Sequence, residues 1–334
     1  MQTLDLPSSF YSLHRMGQGN TTALAEFLLL GLSACPALQP LLFAAVLASY
    51  LATLLGNALL VSLILLDSRL HRPMYRLLTH LALLDMSYMS TTVPQALAHM
   101  LVQRRVLPFA RCGAQLYVAL SLGSTEALLL ASMAVDRCLA VCRPLHYTAI
   151  MTPALCGSLG GGAWALGFLL SVPNAAAALR LPYCIGRPPI DHFFCELPAV
   201  LRVACADTAP NRALVYAMGV PILLGPFGCI LASYGLILAT ALRLPSARGR
   251  RKALSTCGAH LAVVGLFYGT VMAMYLRPKG PTPAGHHKLT AVFYIVVTPL
   301  LNPLIYSLRN KDVHSAARYA VARIKGMRAR AIES

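Results

Sequence analysis

Long apolar segments without a single formally charged residue constrain this chain more than any other feature. Five of them contain no Asp, Glu, Lys or Arg: residues 36–66, 153–179, 213–242, 253–276 and 289–308. A run of about 20 apolar residues is enough for a helix to cross a bilayer. Only 12% of the residues are charged, against about 25% in a typical soluble domain. The sequence therefore predicts an integral membrane protein.

Two further segments are long enough to cross a membrane, although each carries one acidic residue. Residues 77–98 contain Asp85, and residues 112–135 contain Glu126. Neither segment alternates between apolar and polar positions as a membrane-barrel strand does, and both are longer than such strands. We therefore predict an all-α bundle of seven transmembrane helices, with the two termini on opposite sides of the membrane.

The apolar segments also divide the chain into three parts. We predict an N-terminal tail over residues 1–35, a seven-helix domain over residues 36–308 and a C-terminal tail over residues 309–334. The predicted helices cover residues 36–66, 73–98, 110–143, 153–173, 209–243, 250–276 and 287–308. Pro221 and Pro226 are expected to interrupt the fifth helix, and the glycines at 160–162 to loosen the fourth.

The distribution of basic residues predicts the orientation of the bundle. The larger share of the 28 Lys and Arg residues falls on the side of the C-terminus, with the densest cluster at residues 248–252. Basic loops favour the cytoplasm, so we expect the N-terminus outside. Asn20 begins an Asn-Thr-Thr sequon, which is glycosylated only on the outer side. The net charge of +17 does not indicate nucleic-acid binding, because the basic residues lie beside a membrane with anionic lipids.

Four cysteines lie on the predicted outer side. Cys112 begins the third helix, and Cys184, Cys195 and Cys205 lie in the loop before the fifth. Four cysteines in an oxidising compartment predict two disulfides, and their spacing alone allows three pairings. A metal site is the weaker alternative, because no CxxC motif occurs and His192 is the nearest histidine.

Other function classes find little support in the sequence. His286 and His287 form a candidate metal pair, but a solvated pair of histidines is the favoured interpretation, so no metal or cofactor is predicted. No HExxH, GxSxG or Walker motif occurs, which argues against an enzyme. A transporter would show matching halves with interrupted helices, and a channel would show polar stripes along its helices. We find neither pattern in the sequence, which argues against both classes.

Six short motifs occur in the order of the predicted helices. They are Gly56 and Asn57, residues 70–75 (LHRPMY), residues 133–137 (MAVDR), Ser233 and Tyr234, residues 252–257 (KALSTC) and residues 299–310 (PLLNPLIYSLRN). Together with Phe193, Phe194 and Cys195, they resemble the olfactory receptors, a branch of the rhodopsin-like G-protein-coupled receptors. The resemblance covers about residues 20–315. Val135 and Cys138 depart from it, because the family has tyrosines on both sides of the Asp-Arg pair.

The resemblance implies an activation switch at the cytoplasmic side. An arginine beside apolar packing needs an acidic partner, and Asp136 can serve Arg137. The family implies that this pair holds the inactive state and that movement of the sixth helix frees Arg137 for the G protein. The alternative is a solvated interfacial arginine. The further residues of the implied switch are Tyr234, Asn302, Pro303 and Tyr306.

Asp85 and Glu126 are expected at mid-membrane depth. Two carboxyl groups at that depth must be protonated, paired or neutralised by a cation. Asn57 and Asn302 could complete a polar core with them. The resemblance makes a sodium ion or a shared proton plausible, and a hydrogen-bonded network without an ion is the alternative.

The resemblance also implies a ligand pocket between the helices. Several positions of the third helix recur at spacings of three and four residues, so that they share one face. The predicted pocket residues are Leu116, Ala119, Leu120, Gly123, Ser124, Met218, Ile222, Tyr268, Val271, Met272, Tyr275 and Ile295. Ala119 stands where amine receptors carry an aspartate, so we expect a small, mostly neutral, volatile ligand. Arg277 or Lys279 at the rim could attract an acid.

The family further implies partners and pairings. The expected partners are a small-molecule odorant, a stimulatory or olfactory G protein that raises cyclic AMP, membrane lipid and an export chaperone, at the plasma membrane. The implied disulfides are Cys112–Cys195 and Cys184–Cys205, and the tail after Asn310 is expected to form a short amphipathic helix on the inner leaflet. The alternatives are another chemosensory receptor of the rhodopsin-like class and, after it, a membrane transporter.

Overall fold

The computed structural model describes residues 26–32, 35–102, 105–184, 188–243, 245–275, 286–308, 310 and 312–322. Asn20, Arg277 and Lys279 lie outside these residues, as do the side chains of Tyr275 and His286. The regular elements of the described residues are helices apart from two short strands, Glu26–Leu28 (β1) and Val106–Pro108 (β2).

Twelve α-helical elements follow one another in the described residues. They are α1 (Gln39–Leu66), α2 (Pro73–Leu101), α3 (Phe109–Cys142), α4 (Tyr147–Ile150), α5 (Pro153–Leu179), α6 (Leu197–Arg202), α7 (Ala209–Gly219), α8 (Gly225–Leu242), α9 (Ala247–Tyr275), α10 (His286–Val292), α11 (Thr298–Leu308) and α12 (312–322). The seven long helices of the bundle are α1, α2, α3, α5, α7 with α8, α9, and α10 with α11. This is the seven-helix architecture that the sequence predicts.

Six of these seven, within the described residues, are long and apolar enough to cross a membrane. The exception is α2, which has 29 residues and therefore ample length. Its sequence includes Arg76, His80, Asp85 and His99, which lower its hydropathy. The packing around α2 explains how it tolerates them, because Leu77, Leu81, Leu84, Asp85 and Met89 are all fully buried among neighbouring helices.

Some boundaries differ from the predicted ones. The fourth long helix, α5, continues through Pro173 to Leu179, beyond the predicted end at residue 173. Proline at an internal position removes one backbone hydrogen bond but does not have to end a helix in a bundle. The predicted interruption of the fifth helix takes the form of a π-helical turn, Val220–Leu224, which contains Pro221. A second π-helical turn, Phe293–Val297, joins α10 to α11.

Glycines of α5 allow this helix to pack closely against α3 and α2. A Cβ atom on Gly167 would lie 2.1 Å from Thr125 Oγ1 and 2.8 Å from the Thr125 backbone nitrogen. A Cβ atom on Gly160 would lie 2.3 Å from His80 Nε2, on α2. The glycine at 160 therefore permits close packing, whereas the sequence predicted that it would loosen the helix.

One end of the bundle is closed by the chain segment before α1. Strand β1 pairs with β2 in antiparallel register, with Phe27 opposite Leu107. Beyond β1, the Leu30 N–H donates to Ile190 O at 2.9 Å, which joins this segment to the loop between α5 and α7. That loop carries two disulfides, Cys112–Cys195 and Cys184–Cys205, with Cα atoms 5.4 Å and 6.0 Å apart. We call this end of the bundle the disulfide end.

The opposite end is closed by α12, and we call it the Arg137 end. Val313 and Ala316 are buried against the bundle, while Arg318 and Tyr319 on the same helix are exposed. The Arg69 guanidinium lies 5.5 Å from the centre of the Tyr319 ring. The described part of the C-terminal tail thus forms an amphipathic helix, as its sequence predicts.

The glycine contacts predict the effect of adding one methyl group between α3 and α5. Gly167→Ala should lower the free energy of unfolding by about 1–3 kcal/mol, because the packed backbone of Thr125 cannot move aside. The melting temperature of the detergent-solubilised protein, followed with a thiol-reactive dye, measures this loss.

Gly161→Ala is the matched control, because a Cβ atom at Gly161 has no neighbour within 4 Å. It should leave the melting temperature unchanged or slightly higher, since alanine is the better helix former. Equal losses in the two variants would show that the close contact of Gly167 contributes nothing.

Candidate functional site

A cavity of about 110 Å³ lies between α3, the π-helical turn before α8, α9 and the loop that carries Cys195. Its walls are mostly apolar and include Leu116, Ala119 and Leu120 from α3. Concave, largely apolar cavities with a few polar groups are the usual form of a small-molecule site. The cavity is therefore the candidate ligand site.

Seven of the twelve predicted pocket residues line this cavity. They are Leu116, Ala119, Leu120, Gly123, Ser124, Ile222 and Val271. Five of the seven belong to α3, whose regular geometry makes the facing residues predictable from a spacing of three and four. The prediction of one shared face on α3 agrees with this arrangement.

Four predicted pocket residues lie elsewhere. Tyr268 packs in the core with its ring centre 4.8 Å from that of Phe227. Ile295 is fully buried in the second π-helical turn, and Met218 and Met272 are half-buried outside the cavity lining. A π-helical turn contains one residue more than an α-helical turn, so the side chains around it change direction. The side chain of Tyr275 is outside the described residues.

Several cavity residues were not predicted from the sequence. The loop supplies Phe194, Cys195, Glu196 and Leu197, and further lining side chains are Tyr88, Asn174, Val215, Tyr216, Val220, Leu223, Phe267 and Tyr294. The signal in the sequence was the position of residues 193–196 around a cysteine expected to bond to α3. A disulfide to the top of α3 brings this loop segment directly over the helix face.

Glu196 is the most unusual of these residues because it places a carboxyl group in an otherwise apolar wall. It is only 4% exposed. The Tyr294 hydroxyl donates a hydrogen bond of 2.6 Å to Glu196 Oε1. Burial raises the pKa of Glu196 to about 7, against the opposing effects of the Tyr294 hydrogen bond and Arg202. None of the described α3 residues in the cavity wall is acidic, but Glu196 of the loop places a carboxyl group there.

Deeper in the bundle, Asp85 and Asn302 form the main polar contact. Asn302 Nδ2 lies 2.9 Å from Asp85 Oδ1 and 3.0 Å from Oδ2. Both residues are almost completely buried. Glu126 is buried as well, and its Oε1 atom has no hydrogen-bond partner among the described residues. The structure thus places both predicted carboxyl groups inside the bundle and joins Asp85 to α11.

Asn57 compensates for the backbone defect that Pro303 creates. A proline has no N–H group, so the Pro299 carbonyl, four residues earlier, loses its usual helical donor. Asn57 Nδ2 lies 3.4 Å from that carbonyl oxygen and 3.0 Å from Thr53 O. Gly56 allows the approach, because a Cβ atom there would already lie 3.4 Å from Pro303 Cγ. The Gly56 and Asn57 pair therefore fits the proline of α11.

At the Arg137 end, Arg137 pairs with Asp136, the partner proposed from the sequence. Arg137 Nη2 lies 2.7 Å from Asp136 Oδ2. Tyr147 of α4 donates a second hydrogen bond, also of 2.7 Å, to Asp136 Oδ1. The sequence did not identify Tyr147, because α4 has only four residues and no recognisable pattern. The pair is therefore braced by a helix in the following loop.

The two predicted switch tyrosines occupy different environments. The Tyr234 hydroxyl is 2.7 Å from His260 Nδ1, and His260 Nε2 is 3.1 Å from Leu130 O. These contacts connect α8, α9 and α3. Tyr306 is buried, and its hydroxyl has no hydrogen-bond partner among the described residues. His260 was missed, since a single histidine in an apolar helix carries no distinctive pattern.

The residues described here hold no evident metal centre. No group of three or more His, Cys, Asp or Glu side chains in the described part of the chain has the arrangement of a metal site. His192 lies beside Glu196, with Nε2 3.2 Å from Oε2.

The buried polar contact predicts a stability effect. Asn302→Ala should lower the free energy of unfolding by about 1–3 kcal/mol, because the buried Asp85 carboxyl loses its donor. Thermal unfolding of the purified protein measures the change. The exchanged pair, Asp85→Asn with Asn302→Asp, keeps one amide opposite one carboxyl and should recover most of the loss. An exchanged pair as unstable as the single variant would contradict this contact.

Comparison with known proteins agrees with the seven-helix fold. The sequence profile described as "Olfactory receptor" matches residues 46–323. Human olfactory receptor 2D2 is 48% identical over 308 residues, covering 92% of this chain and 99% of its own. Human olfactory receptor 2G6 is 46% identical, covering 91% of this chain and 96% of its own. Mouse olfactory receptor 2A7 is 46% identical, covering 90% and 96%. The chain therefore belongs to the olfactory receptor family, whose members are G-protein-coupled membrane receptors and not enzymes.

Proposed function

We propose that this protein detects small, volatile organic molecules in the cavity beneath Glu196 and responds by activating a stimulatory or olfactory G protein, which raises cyclic AMP. The observation that carries this proposal is the position of the cavity. It lies between helices of the bundle, and the α3 that forms one of its walls continues to Asp136 and Arg137. One rigid element therefore connects a ligand site to a candidate G-protein site.

The proposal assigns the disulfide end to the outside of the plasma membrane. Disulfides form in oxidising compartments, which supports this orientation of Cys112–Cys195 and Cys184–Cys205. The basic residues 248–252 then lie in the cytoplasm, where anionic lipids favour them. In this orientation α12 lies on the inner leaflet. We also propose that Asn20 is glycosylated on the outer side and that an export chaperone escorts the protein to the plasma membrane.

In the proposed mechanism, the pair of Asp136 and Arg137 stabilises the inactive state. A ligand shifts the equilibrium only as far as it binds the active form more tightly. In the active form, α9 moves away from α3, Arg137 leaves Asp136, and Tyr234 and Tyr306 turn towards it. The His260 contact with Leu130 O must break for α9 to move away from α3, and the Tyr234 contact with His260 must break for Tyr234 to turn.

The polar core belongs to the same two-state element. We propose that Asp85, Glu126, Asn57 and Asn302 rearrange when α11 bends at Pro303, with a cation or a shared proton to satisfy the two carboxyl groups. The support comes from the described residues, where Glu126 Oε1 has no hydrogen-bond partner and Asn302 Nδ2 is the donor to Asp85.

The test is a cyclic AMP assay in cells that supply an olfactory G protein and export chaperones, with a broad panel of odorants. At least one small odorant should raise cyclic AMP in cells that express the wild-type chain. Arg137→Ala should abolish this response while surface expression persists, because alanine has no guanidinium group that could contact the G protein. Arg143→Ala, six residues beyond Arg137 at the same end of the bundle, is the control and should retain most of the response.

A second variant tests the brace on Asp136. Tyr147→Phe removes the hydroxyl that donates to Asp136 Oδ1. The inactive pair should become weaker, so basal cyclic AMP should rise by about two- to tenfold, as expected for the loss of a hydrogen bond to a charged group. A basal level equal to that of the wild type at equal surface expression would contradict a role for Tyr147 in the inactive state.

A further inference from the structure

Glu196 differs in charge from every other side chain around the cavity. Among the described lining residues it is the one carboxylic acid, and none of them is lysine, arginine or histidine. Most of the remaining wall is aliphatic or aromatic. A ligand in the cavity therefore meets a single group that can carry a formal negative charge.

Three contacts fix the position of this carboxyl group before any ligand enters. The neighbouring Cys195 is bonded to Cys112 at the beginning of α3. Its backbone N–H donates to Gln115 Oε1 at 2.9 Å. The Tyr294 hydroxyl then holds Glu196 Oε1 at 2.6 Å. A polar group held in this way costs little further ordering when a ligand binds.

The groups that surround Glu196 compensate its negative charge only in part. His192 Nε2 lies 3.2 Å from Glu196 Oε2, but without the geometry of a hydrogen bond. Burial, reinforced by Lys288 and Arg202, lowers the pKa of His192 to about 3, so its ring is neutral at pH 7. Among the described residues, the other groups that act on the Glu196 carboxyl are the Tyr294 phenol, which donates to it, and Arg202, which acts only through space.

Two other polar groups of the wall also accept hydrogen bonds. Asn174 Oδ1 is buried and has no partner among the described residues. The Ser124 hydroxyl donates to Leu120 O at 2.9 Å, and the Ser171 hydroxyl, 3.3 Å away, donates to Gly167 O, so the Ser124 oxygen remains as an acceptor. With Glu196, the cavity thus presents acceptors that a donating ligand would satisfy. A carboxylate ligand would add acceptors and a like charge, which is unfavourable in a buried site.

We propose that Glu196 is the specificity-determining residue of the cavity, selecting small apolar ligands with a hydrogen-bond donor, protonated primary amines above all, and excluding carboxylic acids. This inference rests on the proposed function. It narrows the expected ligands from mostly neutral molecules to molecules that donate a hydrogen bond or carry a positive charge. Hydrogen bonds to a charged group are about twice as strong as neutral ones. The amine should therefore bind more tightly than an alcohol of the same chain.

The experiment compares an amine, an alcohol and a carboxylic acid that share one six-carbon chain, in the cyclic AMP assay. Wild-type protein should respond to the amine at the lowest concentration, then to the alcohol, and least to the acid. Glu196→Gln should raise the half-maximal concentration of the amine by about tenfold or more, as expected for the loss of a charged hydrogen bond. The alcohol should change by less than the amine.

Asp191→Asn is the matched control, because it also removes one acidic charge from the same loop. Asp191 is about half exposed, pairs with Lys288 and does not line the cavity. It should leave all three responses unchanged. Surface staining of an N-terminal epitope tag verifies that both variants reach the plasma membrane. A similar loss for the amine in Asp191→Asn would overturn the assignment, since it would indicate a general effect of outer charge.

The pH dependence of the amine response distinguishes direct binding by Glu196 from a structural role of this residue. The pKa of Glu196 is raised to about 7, so its negative charge develops as the outer pH rises through that value. Aliphatic amines stay protonated there, with pKa values near about 10. The amine response of the wild type should therefore increase between about pH 6 and pH 8, and Glu196→Gln should remove this increase.

A binding measurement separates this inference from the proposed function. The purified protein should gain thermal stability from the amine but not from the acid, whether or not it signals. Stabilisation by the amine without any cyclic AMP response would support the role of Glu196 and contradict the proposed coupling. A preference of the wild type for the acid, in either measurement, would overturn the inference and leave the proposed coupling intact.

Discussion

The contact between Asp85 and Asn302 joins two long helices in the interior of the bundle. A carboxyl group that is completely buried in a membrane bundle is tolerated only if neighbouring groups satisfy it. Asn302 does so with one amide nitrogen placed within 3.0 Å of both carboxylate oxygens. The contact joins α2, the long helix that falls short of the hydropathy of a membrane span within the described residues, to α11, which contains Pro303. Both helices contain groups that are unfavourable in a membrane, and the contact stabilises their packing against each other.

The segment from α10 to α11 connects this contact to both ends of the bundle. Tyr294, in its π-helical turn, donates to Glu196 in the wall of the cavity. Asn302, further along, holds Asp85, and Pro303 leaves a carbonyl that Asn57 satisfies. Tyr306 then lies buried towards the Arg137 end. One segment therefore contacts the candidate ligand site, the polar core and the candidate switch. This continuity gives a physical basis for coupling between the two ends, because a packed core is bistable and is not continuously deformable.

The parts of this structure that regular helix geometry controls could be predicted from the sequence. The charge-free segments located the long helices, and the spacing along α3 located one wall of the cavity. Prediction failed where backbone geometry departs from the α-helix or where distant segments meet. The second π-helical turn places Ile295 in the core and its neighbour Tyr294 in the cavity wall, and the fold of the loop brings Glu196 into the cavity over a sequence distance that no periodicity spans. Tyr147 and His260 were missed because neither belongs to a recognisable sequence pattern, and their contacts with Asp136 and Leu130 are made between separate helices.

In the proposed function, occupation of the cavity is transmitted to a G protein through the helices, without transport across the membrane. Purified protein in lipid vesicles with a purified stimulatory G protein allows nucleotide exchange and ligand flux to be recorded in the same preparation. An active odorant should accelerate exchange of GDP for GTP, and no flux of ligand should accompany it. Ligand-driven flux without accelerated exchange would contradict the receptor function and favour a transporter.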